Sequence, residues 1–205
     1  MVSPTHAKHW PGVVARWVVA VLGWAAVPVL FALDPAKPLN QFVIDQWTTE
    51  HGLPQKAVTA VTQTRDGYLW VGTYEGVARF DGARFTILDK WNLPVLGSNN
   101  IFAIHEDRAG NLWIATSNGL ACRRGGRWIR YDTSHGLASD FILTIHEDSS
   151  GRMWFGTTHG LCWFADGVFV TETLPGAPDR EYVSAIVRDR DGRLWVGTDG
   201  DGLFV

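Results

Sequence analysis

From residue 57 onward the chain is written in short apolar runs separated by glycine-bearing turns. In the first unit AVTAVTQT (57–64), YLWVGT (68–73), GVARFD (76–81) and RFTILD (84–89) follow one another, each rich in Val, Ile, Thr and aromatic residues. Pairs such as Asp66-Gly67, Asn118-Gly119 and Asp166-Gly167 stand between such runs. Asn-Gly and Asp-Gly in that setting favour the positive-φ turns that match strand twist, so each pair predicts a β-hairpin. Helices of ordinary length do not survive that glycine density. The pattern predicts antiparallel strands, four to a unit.

The unit recurs. DGYLWVGTYEGVARFDGARF at 66 is matched by AGNLWIATSNGLACRRGGRW at 109, SGRMWFGTTHGLCWFADGVF at 150 and DGRLWVGTDGDGLFV at 191. Trp70, Trp113, Trp154 and Trp195 are 43, 41 and 41 residues apart. A fixed period in the forties marks a propeller blade or a helical array, and the turn chemistry decides for the blade. The expected fold class is therefore all-β. It is a β-propeller with about three full four-stranded blades (55–96, 97–138, 139–180) and a truncated fourth (181–205).

Two sets of repeated residues read as frame. Each tryptophan lies on a second strand beside a Leu or Met that points the other way, and a blade is packed on both faces, so the indoles are expected to fill the wedges between blades. Asp107, Asp148 and Asp189 each stand three residues ahead of a turn glycine, with Thr64 in that place in the first unit. A short carboxylate there accepts backbone N–H groups and locks the turn. Asp189-Arg190-Asp191 and Asp199-Gly200-Asp201-Gly202 lack the spaced ligands and terminal Glu of a calcium loop.

The beginning of the chain obeys different rules. WVVAVLGWAAVPVLFAL (17–33) carries no charge, with Lys8 and Arg16 before it and Asp34 after it. Basic-then-apolar order is that of a secretory signal or an uncleaved anchor, so 1–35 is expected to export the remainder of the chain to the periplasm. Cleavage after Ala32 and retention in the inner membrane both stay open.

Composition narrows the rest. A net charge of −3, with 46% hydrophobic and 19% charged residues, fits a packed globular domain and not a nucleic-acid binder. Cys122 falls opposite Trp163 and Cys162 opposite Ala121, so they hold adjacent positions on equivalent third strands. Adjacent positions point to opposite faces. Equivalent strands of neighbouring blades commonly lie beyond the ~7 Å limit for bridging. Two buried free thiols are expected. His105 and His146 share a column with Thr62 and Val187, a packing position and not a metal pair. No nucleophile elbow and no carboxylate pair set apart from the turns is found, so no catalytic residue, metal or cofactor is assigned.

Unit-specific polar and aromatic residues gather in the loops joining strands two and three: Tyr74-Glu75, Ser117-Asn118, Thr158-His159 and Asp199-Gly200. The loop between the first two blades adds Trp91 and Asn99-Asn100. These loops share one face of a propeller, where specificity can vary while the frame does not. Tyr74, Glu75, Trp91, Asn118, His159 and Asp199 are the candidate ligand-binding residues, with Tyr74 and Trp91 as neighbouring stacking anchors. The partner is a small molecule or oligosaccharide of unknown identity.

Gly52-Leu53-Pro54, the strand ending at His105-Glu106-Asp107, G-x-L-W-x-G/A-T (110–116, 192–198) and the Gly-Leu after it (119–120, 160–161, 202–203) resemble the two-component regulator propeller family. The resemblance covers about 40–205. Departures are Ala115 for glycine, Arg123-Arg124 for an aromatic near the third turn, and Trp91-Asn92 for His-Gly. It implies a non-catalytic periplasmic sensor domain. Its partners in the same chain would be an immunoglobulin-like module, a membrane helix and a histidine kinase, diguanylate cyclase or transcriptional output, in a homodimeric full-length protein. A secreted propeller hydrolase or lyase, or a carbohydrate-binding module, is the alternative. QFVIDQW (41–47) aligns with the outermost strand RFTILDKW (84–91) and is expected to complete a closing blade that this sequence lacks, as in a fragment of a longer protein.

Overall fold

The structure, a computed structural model, describes residues 44–174, 176 and 182–205; the hydrophobic segment at 1–35 lies outside them. Asp45–Val205 forms one compact unit. Among the described residues helix is confined to the 3₁₀ turns Thr49–His51, Pro94–Leu96 and Thr133–His135, which precede blades 1, 2 and 3. No helix there is long and apolar enough to cross a membrane.

Blade 1 is β1 (Val58–Gln63), β2 (Leu69–Thr73), β3 (Gly76–Phe80) and β4 (Phe85–Leu88). Blade 2 is β5 (Ile101–Glu106), β6 (Leu112–Thr116), β7 (Leu120–Arg124) and β8 (Arg127–Tyr131). Blade 3 is β9 (Ile142–Glu147), β10 (Met153–Thr157), β11 (Gly160–Ala165) and β12 (Val168–Glu172), and blade 4 is β13 (Val183–Arg188), β14 (Leu194–Thr198) and β15 (Leu203–Phe204). Each is an antiparallel meander in chain order, and β1, β5, β9 and β13 lie side by side as the inner strands. This is a β-propeller. Residues 44–47 of the segment expected at 41–47 are not in a strand; Trp47 instead packs its ring on Phe80 and Phe85, with centroids 4.9 and 5.6 Å away.

Register follows the alternation in the sequence. On β2, Trp70 faces blade 2 and joins the core with Val77, Leu96, Ile101 and Ile114, while Val71 on the other face joins Leu53 and Ala78. The next junction buries Trp113, Leu120, Leu137, Phe155 and Phe169. Leu53, Leu96 and Leu137, each in the connection leading to a blade, are buried plugs. Gly156 is required by close approach: a Cβ there would stand 2.4 Å from the Val183 carbonyl oxygen of blade 4. Blade 2 accommodates Ala115 at the same position, fully buried.

Cys122 and Cys162 are both free and buried, and they belong to the same core cluster. Opposite faces of successive blades meet in one junction, so pointing to opposite faces brings the thiols into one core. Burial pushes Cys122 up to about 12 and Cys162 up to about 11, so both stay protonated and unreactive.

Candidate functional site

The two ends of the blades are held by different repeated devices. On the end carrying the turns between first and second strands, each carboxylate binds the blade tryptophan as well as the turn. Asp107 accepts from the Asn111 amide and from Trp113 Nε1, both at 2.8 Å. Trp154 Nε1 donates to Asp148 at 3.1 Å and Trp195 Nε1 to Asp189 at 2.8 Å; in blade 1 Thr64 Oγ1 takes the Trp70 indole at 3.1 Å. Sequence reasoning treated turn and indole as separate features; the six-residue spacing joins them. A second device ties neighbours together. Arg65 donates to the Arg108 carbonyl at 2.9 Å, and Arg108 to that of Ser149 at 2.7 Å. Glu106 and Glu147 accept the backbone N–H of Arg65 and Arg108. At the third junction the sense reverses, and Arg188 reaches back to Ser149 and Asp148.

These bonds set the carboxyl ionisation. Burial pushes Asp148 up, but the hydroxyl of Ser150, the Trp154 indole and turn amides more than offset it and hold the group at about 2. The Trp195 indole, helped by Arg193, brings Asp189 to about 2 against a smaller burial effect. On the inner strands His105 Nε2 lies 3.5 Å from Glu147 Oε2. Burial, and then His105, lowers the His146 pKa.

At the opposite end the threonine that closes the second strand staples the following turn. Thr73 Oγ1 donates to Gly76 O at 2.9 Å and accepts from Glu75 N; Thr116 and Thr157 do the same for Asn118 and His159. The inter-blade connection is clipped to the turns on both sides of it. Asn99 O accepts from Gly76 N at 2.9 Å in blade 1, and Asn100 O from Ser117 N at 3.2 Å in blade 2. Asp140 O and Phe141 O repeat this between blades 2 and 3. Backbone and the repeated threonine do most of the holding, which leaves other turn side chains free to differ.

A further device aims side chains at this rim. Every inner strand skips one residue in its pairing near its start, and the skipped residues are Thr59, Phe102, Leu143 and Ser184. Bulges re-aim side chains and cluster beside binding sites. Phe102 meets Tyr74 edge-on at 6.0 Å and Phe141 at 4.8 Å, which makes an aromatic run across blades 1, 2 and 3. Neither Phe102 nor Phe141 was identified from sequence. The available signal was their columns, where Thr59, Leu143 and Ser184, or Ala57, Asn100 and Tyr182, stand in the other units.

Among the sequence candidates, Tyr74 is 44% exposed and its ring partner is Phe102, not Trp91. Trp91 sits near the outer end of the connection, 77% exposed beneath the Lys90 ammonium at 4.6 Å. Its backbone is fixed by Asp89, whose carboxylate accepts from Trp91 N and Asn92 N. The two anchors therefore do not form one stacking surface: the connection starts at the outer strand β4, whereas Tyr74 leans toward inner strand β5. Asn118 is taken up by the frame, donating to Gly97 O and accepting from Arg130. His159 Nδ1 lies 3.2 Å from Thr158 Oγ1. Glu75 and Asp199 are exposed.

Comparison with known proteins places this geometry in a family. The two component regulator propeller model matches residues 52–75, 95–118, 136–159 and 177–200. The chain belongs to the two-component regulator propeller family. Each match ends in the stapled turn of the rim.

Among solved structures, it is similar to the extracellular domain of BT3049 from B. thetaiotaomicron, described as a hybrid two component system (24% identity, TM-score 0.68, 78% of this chain and 23% of that one). The extracellular domain of BT4673 from B. thetaiotaomicron, described as a one component system, matches at 22% identity and TM-score 0.55, over 72% of this chain and 22% of that one. Virginiamycin B lyase from Staphylococcus aureus matches at 17% identity and TM-score 0.53, over 68% and 48%. At these identities the likeness is one of fold, and the chain spans less than a quarter of the first two. No curated protein matches the chain.

Proposed function

We propose that this chain is a ligand-sensing input segment of an exported bacterial signalling protein, working in the periplasm and non-catalytic in itself. The observation that carries the reading is the division of labour at the stapled rim. Backbone clips repeat from blade to blade, while the bulge and turn positions they present change identity and place Tyr74, Phe102 and Phe141 in one run. Family membership and the fold shared with extracellular domains of signalling systems support it. A small molecule or oligosaccharide with a flat apolar face fits a surface of ring edges. Ligand occupancy would act by fixing neighbouring blades relative to one another, because the run crosses two junctions.

Virginiamycin B lyase shows that the fold also serves an enzyme. In this chain the most strongly depressed carboxyls, Asp148 and Asp189, spend their oxygens on turn amides and indoles. That is use as frame, so the sensor reading is preferred.

The test is thermal unfolding of the chain against a panel of oligosaccharides and small organic molecules, followed by titration of any stabilising compound. Tyr74→Ala and Phe102→Ala should weaken binding while folding normally. Wild-type affinity in both would place recognition elsewhere.

A further inference from the structure

The first two junctions between blades are built on one plan, and among the positions at which they differ one exchanges an aromatic ring for an arginine. Arg123, cross-strand from buried Leu112, holds the position of Phe80 in blade 1 and Phe164 in blade 3. At the second junction Phe164 packs on Trp113 at 5.3 Å, Tyr131 at 5.7 Å and Phe169 at 4.6 Å. The space left there is about 140 Å³. At the first junction the arginine does not fill the wedge, and a cleft of about 420 Å³ opens at the end opposite the stapled rim. Its mouth is kept clear by Gly125 and Gly126, both at positive φ (55° and 79°), where blade 3 carries Asp166 and Gly167.

The walls carry both signs of charge. Arg123 is half-buried, and its guanidinium has no hydrogen-bond or ion-pair partner among the described residues. Arg65 is already committed to two carbonyls of blade 2 and lies 4.0 Å from Glu106 Oε2. Facing the cleft are Glu106 and Asp66. Glu106 uses Oε2 on the Arg65 amide and Asp66 uses Oδ1 on the Thr64 hydroxyl, so each keeps one oxygen without a partner among the described residues. A dicarboxylate would be repelled by Glu106 and Asp66, and a simple cation by Arg123 and Arg65. A ligand carrying one charge of each sign satisfies both walls, and like-charge juxtaposition disfavours the others. The volume lies in the range of small-molecule sites.

We propose that the cleft between blades 1 and 2 binds a small zwitterion of the amino-acid class, with Arg123 taking its carboxylate in a forked pair and Glu106 and Asp66 taking its ammonium. The planar guanidinium matches a carboxylate bidentately. The site is distinct from the stapled rim and does not depend on it.

The test is calorimetric titration of the chain with each common L-amino acid, with succinate and a simple alkylamine as single-sign controls. At least one amino acid should bind, and more tightly than either control. Arg123→Phe, which installs the side chain of blades 1 and 3, should lower that affinity at least about tenfold with a melting temperature at or above wild type. Glu106→Gln should weaken it as well. Should Arg123→Phe not fold, Arg123→Met removes the charge and keeps the stem. Tyr74→Ala should leave amino-acid affinity unchanged, which separates this site from the rim. Absence of amino-acid binding, equal binding of succinate, or retained affinity without the Arg123 charge would overturn the proposal.

Discussion

The two ends of the blades solve the same problem with opposite parts. At the end of the first turns, side chains do the holding: Asp107, Asp148 and Asp189 bind turn and tryptophan together, and Arg65 and Arg108 reach the next blade. At the stapled rim the backbone does it, through Asn99, Asn100, Asp140 and Phe141 carbonyls and a threonine hydroxyl per turn. Side chains that hold the frame are limited to those that supply the same bond, as Thr64 does in place of the carboxylate, and side chains released from holding are free to vary. A repeat protein that must keep its fold while changing what it recognises therefore has its variable surface where main chain carries the load. Arg123 qualifies this rule from the other end: one framing aromatic given up opens a cleft among residues that otherwise only hold.

The comparison is most exposed to a change in the frame itself. Trp113→Ala empties a wedge shared by blades 2 and 3 and removes one donor from the Asp107 carboxylate, which keeps its bonds from Asn111, and should cost about 3–5 kcal/mol in urea unfolding. Trp195 is only half-buried, so Trp195→Ala should cost less. Equal losses would mean that the wedge contributes little. Gly156→Ala comes next. The Cβ would meet the Val183 carbonyl at 2.4 Å and Thr144 Cγ2 at 2.6 Å, and the first contact is relieved only by a shift of backbone, so about 1–3 kcal/mol is expected. Ala115→Gly, the reverse change at the same position of blade 2, should cost about 1 kcal/mol or less.

Acid should sharpen the contrast further. Asp148 and Asp189 are held at about 2, below the ~3.9 of an unfolded Asp. A depressed folded-state pKa contributes stability that is complete above about pH 4 and lost as pH falls through about 2. Melting temperature should be level from neutral pH down to about pH 4 and then fall. Asp148→Asn should start lower, because Trp154 and the turn lose a charged acceptor, and then fall less steeply. An unchanged acid slope in that variant would show that the carboxylate is not the sensitive group.

Most of the frame was legible in the sequence because a repeat supplies its own controls. Four copies of one pattern fixed the strands of blade 1 to within a residue at each end, and the Asp-Gly and Asn-Gly turns fell where positive φ is required. The candidate site was half legible. Variation among the 2–3 loops pointed to the stapled rim and to Tyr74, but variation cannot say which variable side chain is spare. Asn118 differs from its counterparts yet is consumed by Gly97 and Arg130. Phe102 escaped notice because a bulge, which no residue type announces, turns it from an ordinary strand position into a rim position. Arg123 was visible as a departure from the aromatic pattern. Its consequence was not, because a cleft between blades depends on what the neighbouring blade fails to supply.

The smallest effect on stability is expected at the rim, and there the comparison meets function. Tyr74→Ala removes a ring that is 44% exposed and touches Phe102 at its edge, while the backbone N–H of Tyr74 stays bonded to Gln55. Nothing in the staple or the clip involves the ring, so stability should change by no more than about 0.5 kcal/mol. Trp91→Ala, 77% exposed on a turn held by Asp89, should be equally silent in unfolding. The two variants should part company in binding. If the aromatic run is the recognition surface, Tyr74→Ala costs about 1–3 kcal/mol of affinity for a ligand that stabilises the wild type, as loss of an interface anchor does. Trp91 stands apart from the run, and its removal should cost much less. Equal losses from both would mean that the ligand spans the rim from the inner strands to its outer edge, and the site would then be the whole connection between blades 1 and 2. A loss confined to Trp91→Ala would move recognition to the periphery and leave the Tyr74–Phe102–Phe141 run as packing.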